Sequence, residues 1–419
     1  MNKLNRLINQ YCPHGVEFKN LEQCCQILDN KRKPITRSAR ESGIYPYYGA
    51  NGIQDYVSGY LFDGTFVLVG EDGSVMTEDG NPVVNWAEGK IWVNNHAHII
   101  TSVDGIMLRY LYHYLQTVNV KPLIHGNIPK LTGGDFKSIS IPVPPLPVQE
   151  EIVHILDKFT ELEAELAQEL ARRKLQYTFY RDQLLNFDSK IPMVKLKDIA
   201  TNLYRGSGIK RDQVTDDGVP CVRYGEIYTT YNIWFDKCVS HTQLSSVDSP
   251  KYFEHGDILF AITGENIEDI AKSIAYVGHD KCLAGGDIVV MKHNQNPKYL
   301  AYALSTYDAI QQKGKGKVKS KVVHSSVPAI GEIEIPLPPL DVQQRLVNVL
   351  DNFDAICSDL SIGLPAEISA RQNQYEYYRD LLFEYAANGL NFSRAQQSTA
   401  EHSRAQQSTA EHSRAQQSR

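Results

Sequence analysis

The chain has 419 residues, with 43 basic and 49 acidic side chains, a net charge of −6 and 42% apolar residues. This length suggests two or three domains, and the composition is that of a protein able to bury hydrophobic cores. No apolar run approaches the ~18 residues of a membrane helix, and residues 1–11 lack the apolar core of a signal peptide. We therefore expect a cytoplasmic protein without membrane contact. Seven irregularly spaced cysteines predict no disulfide framework.

The strongest feature of the sequence is an internal duplication. IPVPPLPVQEEIVHILDKF (141–159) and IPLPPLDVQQRLVNVLDNF (335–353) are identical at eleven of nineteen positions, and each is followed by a second repeated segment containing Gln-Tyr-x-x-Tyr-Arg-Asp. The sequence therefore predicts two copies of one unit, in which a globular segment precedes a proline-rich segment and a long helix. A decapeptide repeat closes the chain from Ser393; it has no large apolar residue and predicts a solvated or disordered tail.

Apolar residues at alternating steps of four and three predict a coiled-coil seam in both copies. In the first copy the seam runs from Ile152 to Leu184, which indicates a helix of about 38 residues and about 57 Å. In the second copy the spacing slips near Gly363 and Pro365, which predicts a kink or a break. Because each helix has an apolar stripe that needs covering, we expect the two helices to pair.

Short apolar runs recur at matching places in the two halves and predict similar mixed domains. The predicted strands are residues 65–70 with 257–262 and 99–100 with 288–290, and the predicted helices are 110–115 with 299–304. We therefore predict an α+β chain with two similar α/β domains and two long helices. The predicted segments are a first domain (1–140), a first helix (141–189), a second domain (190–334), a second helix (335–391) and the tail (392–419).

The negative charge is concentrated in the predicted helices. Residues 141–189 carry −4 and residues 331–391 carry −7, whereas residues 1–140 are neutral and residues 190–330 carry +3. The acidic total therefore does not exclude DNA binding by the two domains.

Motifs for catalysis are missing or weak. No GxxxxGK[ST] phosphate loop is present, and the Pro-Pro pairs lack the polar residue and the aromatic of an amino-methyltransferase loop. Glu88-Gly89-Lys90 with Asp79 is too common a pattern to assign a nuclease. His96 and His98 lack a nearby cluster of other ligands, so structural or base-contacting roles are favoured over a metal site. We assign no catalytic residue and no metal ligand.

Basic and amide side chains in the domains are the candidates for nucleic-acid contact. In the first domain they are Lys31, Arg32, Lys33, Arg37 and Arg40, with Tyr47, Tyr48 and Asn51 for stacking or base-edge contacts. In the second domain they are Arg205, Lys210, Arg211 and Arg223, with a lysine strip formed by Lys313, Lys315, Lys317, Lys319 and Lys321. The strip suits phosphate contacts. The alternatives are solvated loops for the charges and core packing for the tyrosines.

The arrangement resembles the specificity (S) subunit, HsdS, of type I restriction–modification systems. The shared features are the two proline-rich helix starts, the two Gln-Tyr-x-x-Tyr-Arg-Asp segments (176–182 and 374–380), Gly-Leu-Pro-Ala-Glu-Ile (363–368), Tyr-Cys-Pro-His-Gly-Val-Glu-Phe (11–18) and Tyr-Tyr-Gly-Ala-Asn-Gly-Ile (47–53). Residues 160–166 are similar to the Thr-Ala-Glu-Leu spacer of the IC subgroup. The resemblance covers residues 1–391, and the decapeptide tail departs from the family pattern.

The resemblance implies two target recognition domains that each read half of a split double-stranded DNA sequence. It also implies two antiparallel helices, related by a pseudo-two-fold repeat, that set the gap between the half-sites. Two methyltransferase (M) subunits would bring S-adenosylmethionine, and restriction (R) subunits would bring ATP and Mg²⁺, so no cofactor is expected on this chain and no activity of its own.

Repeated polar and aromatic residues are candidates for helix pairing and M docking. They are Gln149, Tyr177, Tyr180 and Arg181, with their repeat mates Gln343, Tyr375, Tyr378 and Arg379. Packing in the helix seam alone is the alternative for the tyrosines.

Two other functions stay open. One is a self-sufficient DNA methyltransferase or nuclease, which the missing catalytic motifs disfavour. The other is a coiled-coil scaffold that never touches DNA, which the large loop-rich domains disfavour.

Overall fold

The computed structural model of the chain describes residues 2–187, 191–315, 322–358 and 363–388. It separates into two compact units. The first unit ends at Glu165 and resumes at Ile368, and the second runs from Leu166 to Glu367. Each unit combines one globular domain with parts of the long helices. The helical segments predicted as separate spacers are therefore divided between the units.

The first unit is built around a six-stranded sheet with the order β2-β7-β5-β6-β3-β4. Its elements in chain order are α1 (Asn2–Tyr11), β1 (Glu17–Asn20), α2 (Leu21–Cys24), β2 (Gln26–Ile27), β3 (Ser42–Gly49), β4 (Gly52–Val57), β5 (Phe62–Gly70), β6 (Val84–Val93), β7 (Ala97–Thr101), α3 (Leu108–Leu115), β8 (Ile124–His125), β9 (Lys130–Leu131), α4 (Gly133–Lys137), β10 (Ser140–Val143) and the first part of α5 (Leu146–Leu184). Separate two-stranded pairs join β1 to β10 and β8 to β9.

The apolar runs form the centre of this sheet, as the sequence predicted. Strand β5 lies between β7 and β6, so that Val67 is opposite Ile100 on one side and Trp86 on the other. Val67 and Ile100 are fully buried. Helix α3 covers this face because Tyr110 and Leu111 point into the same core.

The second unit contains two five-stranded sheets, with the orders β12-β22-β18-β20-β15 and β13-β16-β14-β21-β17. Its elements after α5 are β11 (Met193–Lys195), α6 (Leu196–Ile199), β12 (Ala200–Arg205), β13 (Val214–Thr215), β14 (Val219–Val222), α7 (Tyr224–Thr229), β15 (Trp234–Phe235), β16 (Ser240–Thr242), β17 (Tyr252–Phe253), β18 (Ile258–Ala261), β19 (Thr263–Gly264), β20 (Ser273–Tyr276), β21 (Cys282–Ala284), β22 (Ile288–His293), α8 (Pro297–Ala303), α9 (Tyr307–Gly314), β23 (Val323–His324), α10 (Val327–Gly331), β24 (Glu334–Pro336) and α11 (Leu340–Ser358).

The two domains share the predicted repeat but differ at their periphery. Strands β18 and β22 and helix α8 correspond to β5, β7 and α3, and the β11–β24 pair corresponds to β1–β10. The sheet of β13, β14, β16, β17 and β21 has no counterpart among the described strands of the first unit. The second domain therefore has an additional surface on the common frame.

The long helices pair in opposite directions within each unit. The second helix of the repeat is divided into α11 and α12 (Leu364–Asn388), with Pro365 in the first turn of α12, where a missing N–H is tolerated. In the first unit, Phe159 stacks on Tyr378, and Gln372 Nε2 donates to Glu163 Oε1 over 2.6 Å. The residue numbers of the contacting side chains thus increase along α5 while they decrease along α12.

The second unit repeats this pairing between α5 and α11. Tyr180 stacks on Phe353, and Lys174 lies within electrostatic range of Cys357. Here too the residue numbers of the contacting side chains increase along α5 while they decrease along α11. Both pairs of helices are therefore antiparallel.

Helix α1 packs into the core of the first unit. Leu4 and Ile8 are 1% exposed and lie in one cluster with Leu382 and Phe383 of α12. The four-residue spacing of Leu4 and Ile8 places both side chains on the same face of α1. Within the described ranges, none of the helices is both long and apolar enough to span a bilayer.

Candidate nucleic-acid interface

A basic groove of about 700 Å³ opens in the second domain where its two sheets meet. The segment after β12 crosses the end of β21, since Ser207 N donates to Ala284 O over 2.8 Å and Ser207 forms a backbone bridge with Gly285. The groove brings together three of the predicted basic residues, which are Lys210, Arg211 and Arg223. The fourth, Arg205, lies beside it with Nη2 at 2.5 Å from Asp287 Oδ1.

Four of the twelve residues that line this groove are glycines, which expose their backbone to it. A Cβ at Gly206 would lie 2.2 Å from Gly285 O, so the crossing of the two segments requires glycine there. Gly208 and Gly225 line the groove itself, and a Cβ at either position would meet nothing within 4 Å. The groove thus has open space next to backbone groups, which allows a ligand to approach closely.

Arg223 is held in place by one buried carboxylate. Its Nε donates to Glu226 Oε1 over 3.0 Å, and its backbone N donates to Oε2 over 3.1 Å. Ser240 Oγ donates to the same Oε1 over 2.8 Å, and Glu226 is buried. Because Ser240 and the backbone N of Arg223 hold the carboxylate of Glu226 in place, its bond to Nε orients the guanidinium of Arg223.

Lys210 and Arg211 differ from Arg223 in being exposed. Within the described residues, no carboxylate lies within 4.0 Å of either charged group. Their charges are therefore available to an anionic ligand.

The basic cluster predicted in the first domain divides into exposed and structural residues. Lys31, Lys33 and Arg37 are exposed. Arg32 is instead largely buried, with Nη1 donating to Glu71 Oε2 over 2.5 Å and to Ala97 O over 2.7 Å. The DNA-contact prediction for Arg32 is corrected, because its guanidinium joins three segments of its own domain.

Arg32 also explains a group of potential metal ligands. Asp29, Glu71 and His98 offer ligand atoms within 4.8 Å of one another. His98 Nδ1 lies 2.6 Å from Asp29 Oδ2, while the guanidinium of Arg32 lies between the two acids. Burial alone would raise the pKa of Asp29, but the hydrogen bond with His98 and the charge of Arg32 lower that pKa overall. The group is an ion-pair network that includes the guanidinium of Arg32 and, at 3.4 Å from Glu71 Oε1, the Nζ of Lys130.

Tyr47, Tyr48 and Arg40 also depart from the predicted DNA contacts. Tyr47 is 1% exposed, its hydroxyl bonds to the backbone of Ile35, and Arg40 lies 4.2 Å above its ring. Tyr48 is 8% exposed in the core. Strand β3 lies between β4 and β6, and the segment before it, which contains Ile35 and Arg40, covers the Tyr47 ring.

Exposed residues suited to stacking or base-edge contacts are present elsewhere in the first domain. Asn51 lies in the exposed turn between β3 and β4 and borders a pocket of about 390 Å³ together with Gln54 and His96. Tyr56 and Tyr60 are 51% and 43% exposed. Asn51 therefore stays a candidate, and Tyr56 and Tyr60 join it.

The lysine strip begins inside the protein. Lys313 is buried, and its Nζ donates to Ser273 Oγ over 3.0 Å and to Leu304 O over 2.7 Å. Burial lowers the pKa of Lys313 to about 7. The predicted phosphate contact by Lys313 is therefore wrong, because Nζ cannot reach a phosphate. Lys315 is exposed; Lys317, Lys319 and Lys321 lie outside the described residues.

Gln149 and Gln343 are buried where each long helix begins. Gln149 Oε1 accepts from Met107 N over 2.9 Å, and Nε2 donates to Pro144 O over 2.8 Å. Gln343 repeats this with Asn296 N at 3.0 Å and Pro338 O at 2.8 Å. The docking prediction is corrected for both, because they join each helix to its own domain and are 0% exposed.

Tyr375 and Arg379 of α12 also face a domain. Tyr375 OH lies 2.8 Å from His113 Nδ1, and His113 Nε2 lies 2.8 Å from Asp157 Oδ1. Burial lowers the pKa of His113, and the hydrogen bond with Asp157 offsets this only in part. Arg379 lies over the Tyr375 ring. Both are buried, which corrects their assignment to partner docking.

The second unit has the corresponding arrangement around Tyr302. Tyr302 OH donates to Asp351 Oδ1 over 2.7 Å. In the repeat, Tyr302 occupies the position of His113 and Asp351 that of Asp157. Tyr177 packs against this core with Arg181 over its ring, and its buried hydroxyl has no hydrogen-bond partner among the described residues. Tyr177 and Arg181 therefore also belong to the helix–domain packing, which corrects the docking prediction. Tyr180, at 39% exposed, keeps an outward face.

Residues 13–172 and 189–370 each match the sequence model of one family, the type I restriction modification DNA specificity domain. The chain belongs to this family. It is 34% identical over 382 residues to a predicted type I restriction enzyme specificity subunit from Haemophilus influenzae, over 88% of this chain and 96% of that one. It is 29% identical over 310 residues to the EcoR124I/EcoR124II specificity subunit from Escherichia coli, over 68% and 74% of the two chains.

A solved structure supports the fold of this family member. A chain from work on complex assembly and conformational transition of the type I R-M system superposes with a TM-score of 0.56. The identity is 14%, and the match covers 90% of this chain and 98% of that one. The predicted fold class, with its doubled α/β domain, is confirmed. Membership in the specificity family disfavours both the self-sufficient enzyme and the scaffold that never touches DNA.

The sequence interpretation of this specificity-family chain missed several residues of the groove. Gly208, Gly225 and Tyr224 line it, and none was assigned a role. The glycine content of 206–208 and 285–286 was the available signal, since adjacent glycines indicate close backbone approach. Glu226 follows Arg223 by three residues, a spacing that indicates a local ion pair.

Proposed function

We propose that the chain is the DNA-specificity subunit of a type I restriction–modification complex, in which each domain binds one half of a bipartite DNA target. The observation that carries this proposal is the glycine-walled groove of the second domain. It combines Lys210 and Arg211, which are exposed, with Arg223, which is fixed in orientation. Exposed cations suit phosphates and an oriented guanidinium suits a base edge, so the groove has the two kinds of contact that sequence-specific binding needs.

The long helices then set the distance between the two half-sites. Each domain is joined to a helix through matched polar contacts. Arg109 Nε lies 2.7 Å from Asp157 Oδ1 on α5, and Lys298 Nζ lies 2.7 Å from Asp351 Oδ2 on α11. Because these contacts hold each domain to a helix, helix length is the variable that changes the gap.

We also propose that the helices carry two M subunits, and that M and R subunits supply the chemistry. In this proposal S-adenosylmethionine belongs to M, ATP and Mg²⁺ belong to R, and this chain catalyses no step. It would act in the cytoplasm, where such a complex meets its DNA. An exposed apolar patch on the second unit suits M docking better than the inward-facing glutamines and tyrosines. Leu175 is 73% exposed, Phe179 57% and Tyr307 63%.

Mapping methylated adenines tests this function. The full chain is expressed with a cognate M subunit in a host without adenine methylation, and modified bases are sequenced. We expect one motif with two specified parts and an unspecified gap. M expressed alone is the control and should give no motif. A continuous motif, or the same motif without this chain, would contradict the proposal.

A further inference from the structure

We infer that Arg223 reads a guanine in the half-site bound by the second domain, through the edge that its guanidinium presents in the glycine-walled groove. This inference rests on the proposed function and deepens it, because it names one specificity-determining residue and the base that it selects. It also separates Arg223 from Lys210 and Arg211, to which we assign phosphate contacts.

The first argument is the fixed orientation of Arg223. Glu226 takes both the Nε and the backbone N of Arg223, and Ser240 holds the carboxylate. Among the described residues, no hydrogen bond or ion pair engages Nη1 or Nη2 of Arg223. Two parallel N–H donors of an arginine match O6 and N7 of guanine in the major groove. A side chain oriented in advance loses little freedom on binding, which favours selective contact.

The second argument is the space beside Arg223. Gly225 lies two residues further along the chain, and Gly208 lies on the neighbouring segment. Neither would place a Cβ against another atom, so both face open space in the groove. At the base of the groove Gly206 crosses Gly285 so closely that a side chain at Gly206 would clash with the backbone of Gly285. A base edge can therefore approach Arg223 without moving the surrounding residues.

The third argument is the separation of charges. Arg205 is paired with Asp287 and Arg223 with Glu226, so the acids of the groove are already occupied. Lys210 and Arg211 are exposed and lie on the segment that follows Gly208. Exposed cations without acidic partners suit phosphates, which position a protein and carry no sequence information. The groove thus contains one candidate reader and two candidate positioning residues.

Arg223→Lys tests the inference directly. Lysine keeps a positive charge near the buried Glu226 but lacks two parallel donors. With the full chain and its M subunit, methylated-base sequencing should show that one G·C position of one half-site becomes degenerate. Discrimination there should fall about 5- to 150-fold, which corresponds to the ~1–3 kcal/mol of a bidentate contact. The other half-site and the gap should stay unchanged.

Arg211→Gln is the matched control in the same groove. It should weaken binding at all sequences, lower its salt dependence and leave the motif intact. If Arg223→Lys behaves in this way too, Arg223 is a phosphate contact and the inference is overturned.

Gly225→Leu provides a second variant that does not alter any ion pair. Leucine fits the backbone there and fills the groove, so recognition of one half-site should be lost while the melting temperature stays that of the wild type. Gly133→Leu is its control in the first domain, where a Cβ also meets nothing within 4 Å; it should keep the wild-type motif. A wild-type motif in both Arg223→Lys and Gly225→Leu overturns the inference and leaves the proposed function standing. Absence of any bipartite motif with the wild-type chain overturns both.

Discussion

The ring of Phe159 on α5 stacks on the ring of Tyr378 on α12, with centroids 5.5 Å apart and planes inclined by 24°. Their repeat mates Phe353 and Tyr180 stack in the second unit at 6.0 Å and the same inclination. The duplicated sequence thus produces one aromatic contact twice, and in each unit that contact joins α5 to its antiparallel partner.

This contact should contribute measurably to the stability of the first unit. A double-mutant cycle with Phe159→Leu and Tyr378→Leu should give a coupling free energy of about 1 kcal/mol, since stacked aromatic pairs contribute ~0.5–1.5 kcal/mol beyond their buried area. Urea unfolding in a Trp234→Phe background reports on the first unit alone, because the remaining Trp86 and Trp92 both lie there. Additive effects of the two substitutions would contradict the prediction.

Gln149 should matter more for folding than its polar side chain suggests. Gln149→Leu leaves Met107 N and Pro144 O without their partner, and each unsatisfied buried group costs ~1–3 kcal/mol. We expect the free energy of unfolding of the first unit to fall by about 3 kcal/mol in the same fluorescence assay. Glu150→Leu, at the exposed neighbouring position of α5 in the same unit, is the control and should change little. Equal effects of the two substitutions would rule out the proposed role of Gln149.

Lys313 should give the second unit a distinctive dependence on pH. Its folded-state pKa of about 7 lies below its ordinary 10.5, so the unfolded chain binds one more proton between these values. Stability must therefore rise with pH across that window, by up to ~1.4 kcal/mol per pH unit from this group. Lys313→Met should abolish that part of the rise between pH 7 and 9.5, whereas Lys315→Met should keep it. An unchanged slope in Lys313→Met would show that Lys313 stays charged when folded.

The lysines beyond Lys313 should act through phosphates. Replacing Lys315, Lys317 and Lys319 by glutamine should weaken binding at all DNA sequences and lower the slope of log K against log salt by about 2 to 3, since each phosphate contact contributes ~0.9. Fluorescence anisotropy at several salt concentrations measures the slope. Lys313→Met should leave it unchanged because Lys313 is buried. Lost discrimination at one base with an unchanged slope would show that these lysines read bases instead.

The duplication made much of the fold predictable. Two copies of one pattern located both long helices, the break near Pro365 and the matched strands around Val67 and Leu259. Each prediction relied on apolar spacing, which burial imposes directly on a sequence. The additional sheet of the second domain was missed because its strands are only two to four residues long, too short to show a periodic pattern.

The candidate site was less predictable, because residue type does not reveal burial. Tyr47 and Lys313 carry groups suited to DNA, yet both lie in the interior. The segment with Ile35 and Arg40 covers Tyr47, and Lys313 is buried with its Nζ bonded to Ser273 and Leu304. Gln149 could have been recognised as buried from the sequence. It has Gln343 as its mate, and a polar residue repeated at the same place in both copies indicates a shared structural contact.

The spacing of the methylated motif tests the central claim most directly. Removing four residues between 160 and 170 takes out roughly one helical turn, so the remaining residues of α5 keep nearly the same facing. The deletion shortens α5 by about 6 Å, which corresponds to about two base pairs of DNA. If the domains read the half-sites and the helices set their separation, methylated-base sequencing will show both half-sites unchanged and a different gap. An unchanged motif after the deletion would contradict this account.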